Sequence, residues 1–300
     1  MILAYLCMLI RSLIYGMSIC FTGNLLDSAH PLDVLALRFL ISAIVFSLLI
    51  ALKVIKVDYR GKNVRPLFAA MLFEPVAYFV FETFGIQGTT TSVAGLLCAL
   101  SPALTIICET PVLHEKTNAY QKLLVLLRLA SGVVILIGAG NDGQNTAWGF
   151  VCMLEAVICG VMFTLFSRKS SKQFTAIEIT YMATLVGAVF FNTVNITRHL
   201  VRGTITSYFT PLFSMENIIG FIFLSVLSSI MATMMNNYAL GKIQASTVAA
   251  AGGLSTVVTV AADVVMNKAT LYWYHYVSVT LILICSVGMM LYNGGSCVKE

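Results

Sequence analysis

Apolar residues fall in ten runs along the chain, at about 2–24, 34–52, 67–87, 89–113, 119–140, 147–167, 177–198, 216–240, 245–267 and 273–293. Each run approaches the roughly 20 residues that a helix needs to cross a hydrocarbon core. The third and fourth runs are split only by the stretch from Gly85 to Thr91, and the other links are short and polar, such as Asp27–Asp33 and Asn141–Asn145. The pattern predicts an all-α integral membrane protein of ten transmembrane helices. Ten spans use about 200 of the 300 residues, too many to leave room for a second folded domain. The first run begins at Met1 and has no small-residue cleavage site, which predicts a retained span rather than a signal peptide.

Composition agrees with this reading. Hydrophobic residues make up 59% of the chain and charged residues 10%, against roughly 25% charged in soluble domains. A soluble protein this apolar could not cover its surface, whereas lipid is a natural solvent for it. The net charge of +5 is scattered over short loops without interleaved aromatics, so it indicates no nucleic-acid partner. It serves better as a topology signal. With the N-terminus inside, Lys53, Lys56, Arg60, Lys62, Arg65, Lys116, Lys122, Arg168, Lys169, Lys172, Lys242 and Lys299 face the cytoplasm, leaving Arg198, Arg202 and Lys268 outside. Both termini are therefore expected in the cytoplasm, although the two arginines after the seventh run break the rule. The eight cysteines lack C-x-x-C spacing and all but Cys297 lie in apolar runs, so they read as packing residues, with neither a metal site nor a disulfide framework.

Shifting the chain by 154 residues against itself brings Ser92, Leu100, Ser101, Thr105 and Glu109 onto Ser246, Leu254, Ser255, Thr259 and Asp263. The same shift places Glu74 on Ser228 and Glu82 on Asn236, while an offset of 144 places Arg11, Ile14 and Gly16 on Glu155, Ile158 and Gly160. Five spans separate equivalent positions, and an odd number reverses the sense of crossing. The expectation is two inverted five-helix repeats, 1–145 and 146–300, around a central cavity.

The residues that carry a family likeness are Ile14-Tyr15-Gly16, Arg38-Phe39-Leu40-Ile41, Ser92-Val93-Ala94 with Leu100-Ser101-Pro102, and His114-Glu115-Lys116-Thr117. In the second half they are Asn237-Tyr238-Ala239-Leu240 and Ala245-Ser246. With these the chain resembles the EamA-like branch of the drug/metabolite transporter superfamily over nearly its whole length. Thr256, where the second repeat often has proline, and Ala269-Thr270, in place of a Gly-Glu pair, depart from the pattern. The resemblance implies ten helices around a central cavity and substrates ranging over amino acids, other metabolites and drugs, with amino-acid export the favoured activity.

An ionisable group at mid-bilayer costs at least about 2.5–3.5 kcal/mol, so each one needs a reason. Glu74, Tyr78 and Glu82 form one candidate solute-binding stripe at four-residue spacing, with Glu82 nearer the outer end and the water, and Pro75 beside Glu74 predicts a local bend. Glu74 suits a proton-carrying role; a structural acid paired with Arg11 or Arg38 is the alternative. Arg11 and Glu155 are expected to face each other, as an ion pair or around the two charges of a zwitterion. Ser101, Ser255, Asn236 and its neighbour Asn237 are candidate cavity residues, and Glu109 and Asp263 candidate gates. The serines and threonines serve equally as interhelical glue beside Gly95, Gly252 and Gly253. Arg38 and Arg128 read as anchoring or snorkelling cations, and Tyr272, Trp273, Tyr274 and Tyr276 as an outer interfacial belt.

No H-E-x-x-H, G-x-S-x-G or Walker A signature occurs, Gly241-Lys242 being followed by Ile243. The expectation is therefore a secondary transporter, not an enzyme, whose partners are the bilayer, a small polar solute and a coupling proton. It requires no cofactor and no oligomer. A facilitative carrier, a channel-like permease for another solute class and a non-transporting membrane protein are the alternatives.

Overall fold

The structure, a computed structural model, describes residues 2–113, 119–140, 143 and 145–296, with side chains at 2–109, 120–140, 143 and 145–289. The motif His114-Glu115-Lys116-Thr117, Cys297 and Lys299 lie outside the described residues. All regular structure among the described residues is helical. In chain order the helices are α1 (Ile2–Leu26), α2 (Pro31–Ala51), α3 (Arg65–Gln87), α4 (Thr91–Cys98), α5 (Ser101–Leu113) and α6 (Ala119–Gly140). They continue as α7 (Ala147–Ser170), α8 (Ala176–Arg202), α9 (Met215–Leu240), α10 (Ala245–Asn267) and α11 (Trp273–Ser296). Helices α4 and α5 together form the fourth expected span. Nine spans are long and apolar enough to cross a membrane among the described residues, and a shorter apolar helix over Trp273–Met289 follows them. The chain is thus a multi-pass membrane protein.

Local chemistry sets the helix ends. Thr90, Thr146 and Thr175 accept from backbone N–H groups in the first turns of α4, α7 and α8, and the Glu178 carboxylate accepts from the backbone N–H of Thr175 to complete a capping box. Gly203, at φ +66°, ends α8 in the left-handed conformation that glycine adopts at no steric cost. Proline breaks the regularity inside α3: Glu74 is extended (φ −141°, ψ 122°) and the helix kinks there, so the bend expected beside this acid is present. Helix α9 widens over Phe223–Ala232 into a π-helical stretch.

Helix α1 lies along α10, α3 along α7, α2 along α8 and α6 along α11, so every one of these pairs joins the two halves of the sequence. Small residues set the closest approaches. A Cβ at Gly16 would stand 2.5 Å from the carbonyl oxygen of Ser255, and one at Gly149 would stand 2.5 Å from the backbone of Gly88. Asn237, expected at the cavity wall, instead accepts from Ser167 and donates to Thr180, tying α7, α8 and α9 together. Of the aromatic belt, Tyr272, Trp273 and Tyr276 are exposed, whereas Tyr274 is buried against Gly138.

Charged links close both ends of the bundle. Where the basic loops gather, Lys62 Nζ meets Glu178 at 2.6 Å, and the backbone N–H of Asp58 donates to the same carboxylate. At the other end Asp33 accepts from Arg198 at 2.6 Å, Asn195 at 3.0 Å and the ring of His199 at 2.8 Å. Arg198, an exception to the charge rule, is therefore held as the partner of a carboxylate at the start of α2. Breaking a buried pair from one side leaves the other charge stranded, at about 3–5 kcal/mol. Asp33→Ala is expected to cost about 3 kcal/mol, the low end of that range, because both side chains keep some exposure. Thermal unfolding in detergent measures this, and Asp33→Leu with Arg198→Met should recover part of the loss; a single variant as stable as the parent would show that the link contributes nothing.

Candidate functional site

Halfway along α1, one side of the helix is polar: Arg11, Tyr15 and Ser18 face a cavity of about 140 Å³. Arg38 enters it from α2, Glu74, Tyr78 and Glu82 from α3, Cys98 from α4 and Ser101 from α5. The second half supplies Gly160, Thr164, Ser228, Asn236, Gly252 and Ser255. Two of the contributing helices are irregular where they reach the chamber: Glu74 sits at the interruption of α3, and Ser228 in the π-helical part of α9. Such distortions free backbone groups that a cavity or a side chain must then satisfy.

The two cations are fixed by neutral partners. Arg11 donates through Nη1 to the side-chain oxygen of Asn236 and through Nη2 to the carbonyl of Val248. Arg38 donates from Nε to Ser229 at 2.8 Å and from Nη2 to Ser228 at 3.0 Å, with its guanidinium 4.4 Å over the ring of Phe79. Glu82 accepts a 2.7 Å bond from the Tyr78 hydroxyl. Glu74 makes no hydrogen bond or ion pair to the described residues, and Nε of Arg11 is buried without a partner among them. Two positive and two negative groups therefore line one chamber without forming a direct salt bridge among the described residues. A site of this kind can bind a solute carrying both signs of charge, because its own charges are not spent on each other.

Seven of the eight expected binding residues come together here: Arg11, Glu74, Tyr78, Glu82, Ser101, Asn236 and Ser255. Glu155 does not. It is exposed on a face of α7 that also carries Trp148, Val151 and Ile158, all exposed, so Arg11 pairs with Asn236 instead. Glu82, expected nearer water, is buried in the chamber at 6% exposure. Arg38 was absent from the expected binding set, and it is a wall of the site and not a snorkelling anchor; the signal was its shared polarity with Glu82, which only the α2–α3 contact reveals. Tyr15 also escaped the sequence reading, although its spacing of four from Arg11 could have found it.

Glu109 and Asp263 lie away from the chamber. The carboxylate of Asp263 accepts from both the backbone N–H and the hydroxyl of Ser92, in the first turn of α4. Glu109 accepts from the backbone N–H of Ser246, in the first turn of α10. Each acid thus meets the positive N-terminal end of a helix from the other half, and the two contacts are related by the 154-residue shift. The equivalent pairs Glu74/Ser228, Glu82/Asn236, Cys98/Gly252 and Ser101/Ser255 all line the chamber.

Comparison with known proteins agrees with this arrangement. The profile of the EamA-like transporter family matches twice, over residues 2–137 and 147–291. The uncharacterized transporter YcxC of Bacillus subtilis is 31% identical over 286 residues, covering 95% of this chain and 92% of that protein. The uncharacterized transporter YetK of the same organism is 29% identical over 63% of this chain and 58% of its own. A solved crystal structure, 16% identical, superposes with a TM-score of 0.70 over 97% of both chains and shares the fold. With both halves matched and a relative aligned nearly end to end, the chain belongs to the EamA-like transporter family.

Proposed function

We propose that the protein is a secondary transporter of small zwitterionic metabolites, amino acids or related compounds, exporting them across the cytoplasmic membrane with both termini inside. The observation that carries this reading is the chamber between the halves, lined by Arg11, Arg38, Glu74 and Glu82 without a salt bridge among them. A solute carboxylate would sit against Arg11 and its amine against Glu74. The cavity volume of about 140 Å³ is below the roughly 300 Å³ at which drug-sized pockets begin, which favours a small metabolite over a drug.

The exchange of end-capping acids and the matched pairs in the chamber support two inverted repeats, 1–145 and 146–300, that alternate access to the site. The basic loops at one end support cytoplasmic termini. Glu74 is the proposed proton carrier.

Flux into proteoliposomes tests the reading, using a panel of amino acids and neutral polar metabolites with and without an imposed pH gradient. Saturable flux of zwitterions, faster with the gradient, is expected. Saturable flux that ignores the gradient would make the protein a facilitator, and non-saturating flux, or none for any zwitterion, would remove the proposal.

A further inference from the structure

The fourth span is broken and its repeat equivalent is not. Pro102 has no N–H to offer the carbonyl of Cys98, which instead accepts from the hydroxyl of Ser101 at 3.1 Å. The chain tightens there: Ala99 N–H donates to Leu96 and Leu100 N–H to Leu97, while Ala103 N–H turns to Leu100. The carbonyl of Ala99 is left facing sideways, and Arg128 of α6 donates to it from Nε at 2.6 Å.

Arg128 is 2% exposed, so it is not the snorkelling cation that its sequence context suggests. Its Nη1 donates to Ser286 of α11 at 2.9 Å, and its Nη2 has no partner among the described residues. The residue 154 positions after Ala99 is Gly253, where a Cβ would stand 2.4 Å from Nη2 of Arg128 and 2.0 Å from the Ser286 oxygen. The residue equivalent to Pro102 is Thr256, whose hydroxyl donates to Gly95 at 3.0 Å, and α10 runs through unbroken. One guanidinium therefore reaches equivalent points of both crossing spans, and only one of them has an open carbonyl.

Cys98, just before Ala99, and Ser101, two residues after it, both line the chamber. We propose that Arg128 is a positioning residue for the central site: by holding the Ala99 carbonyl it fixes the direction in which Cys98 and Ser101 face the solute. This rests on the chamber being the solute site. Arg128 contributes to affinity without touching the solute, through a donor set that lysine reproduces in part and methionine not at all.

The test uses full-length protein with Arg128→Met, Arg128→Lys and Gly253→Ala, the last pressing on the guanidinium from behind. Alkylation of Cys98 by N-ethylmaleimide is followed by mass spectrometry, with Cys7 at the start of α1 as the internal reference. In Arg128→Met the Cys98 rate should change several-fold relative to Cys7. KM for the best-transported amino acid of the panel should rise about tenfold, with maximal flux held within about twofold. Arg128→Lys should restore much of both, and Gly253→Ala should move both in the direction of the methionine variant. A folded Arg128→Met with unchanged Cys98 alkylation and unchanged KM would overturn the proposal, as would a loss of thermal stability with neither readout moved. If Arg128→Met does not fold, the lysine and Gly253→Ala variants decide by the same two readouts. Should the parent protein carry no zwitterion, the transport reading fails, but the Cys98 rate still decides whether Arg128 sets the geometry of the break.

Discussion

Glu74→Gln is expected to keep saturable flux and to lose its acceleration by a pH gradient. Glutamine preserves the size of the side chain and its capacity to accept a hydrogen bond, but it cannot take up or release a proton. Glu74 is the acid of the chamber that makes no hydrogen bond to the described residues, and it sits where α3 is interrupted. Glu82, by contrast, is held by the Tyr78 hydroxyl. Glu82→Gln should therefore lower flux while leaving the gradient effect measurable. If Glu74 also receives the amine of the solute, KM rises about tenfold in Glu74→Gln, the worth of one charge-assisted contact at about 1.4 kcal/mol. The measurement is initial rate against substrate concentration, at equal pH and with an imposed gradient. Gradient-driven flux intact in Glu74→Gln would return this residue to a structural role.

Gly16→Leu should prevent the protein from folding, or cost several degrees of thermal stability. A Cβ at this position would stand 2.5 Å from the carbonyl oxygen of Ser255 and 2.6 Å from Cβ of Val258. The first obstacle is backbone, so no change of rotamer relieves it. Helix α1 would have to move off α10, along which it packs and to which Thr259 ties it by donating to the Gly16 carbonyl at 2.9 Å. Overpacking costs about 1–3 kcal/mol when side chains can give way, and this substitution belongs at or above the top of that range. Gly140→Leu is the control, because nothing among the described residues lies within 4 Å of a Cβ there. Size-exclusion profiles and unfolding temperatures of the two variants settle the matter. Equal behaviour would mean that the α1–α10 crossing tolerates separation.

Much of the architecture was legible because lipid imposes a simple rule on sequence: spans are apolar and charges inside them are exceptions. The run boundaries and most of the chamber followed from that rule, since Arg11, Glu74, Tyr78 and Glu82 were conspicuous against their surroundings. The departures have one physical cause. Depth along a helix can be read from sequence, but the direction a residue faces depends on its neighbours. Glu155 and Arg11 are at similar depth, yet Glu155 shares its face with Trp148, Val151 and Ile158, a helical spacing that already pointed outward. Arg38 and Arg128 gave no such warning: both looked like anchors, and only the contacts with Ser229 and Ala99 show them buried. Asn237 was drawn towards the chamber by its neighbour Asn236, although adjacent residues on a helix diverge by about 100°.

The exchanged acids have a consequence for how the chain can be built. Asp263 and the first turn of α4 belong to different halves of the sequence, as do Glu109 and the first turn of α10. Each half thus lends a carboxylate to a helix start of the other. A freshly inserted first half gains these two contacts only when the second arrives. Assembly is in that sense a mutual handclasp rather than the docking of two finished bodies.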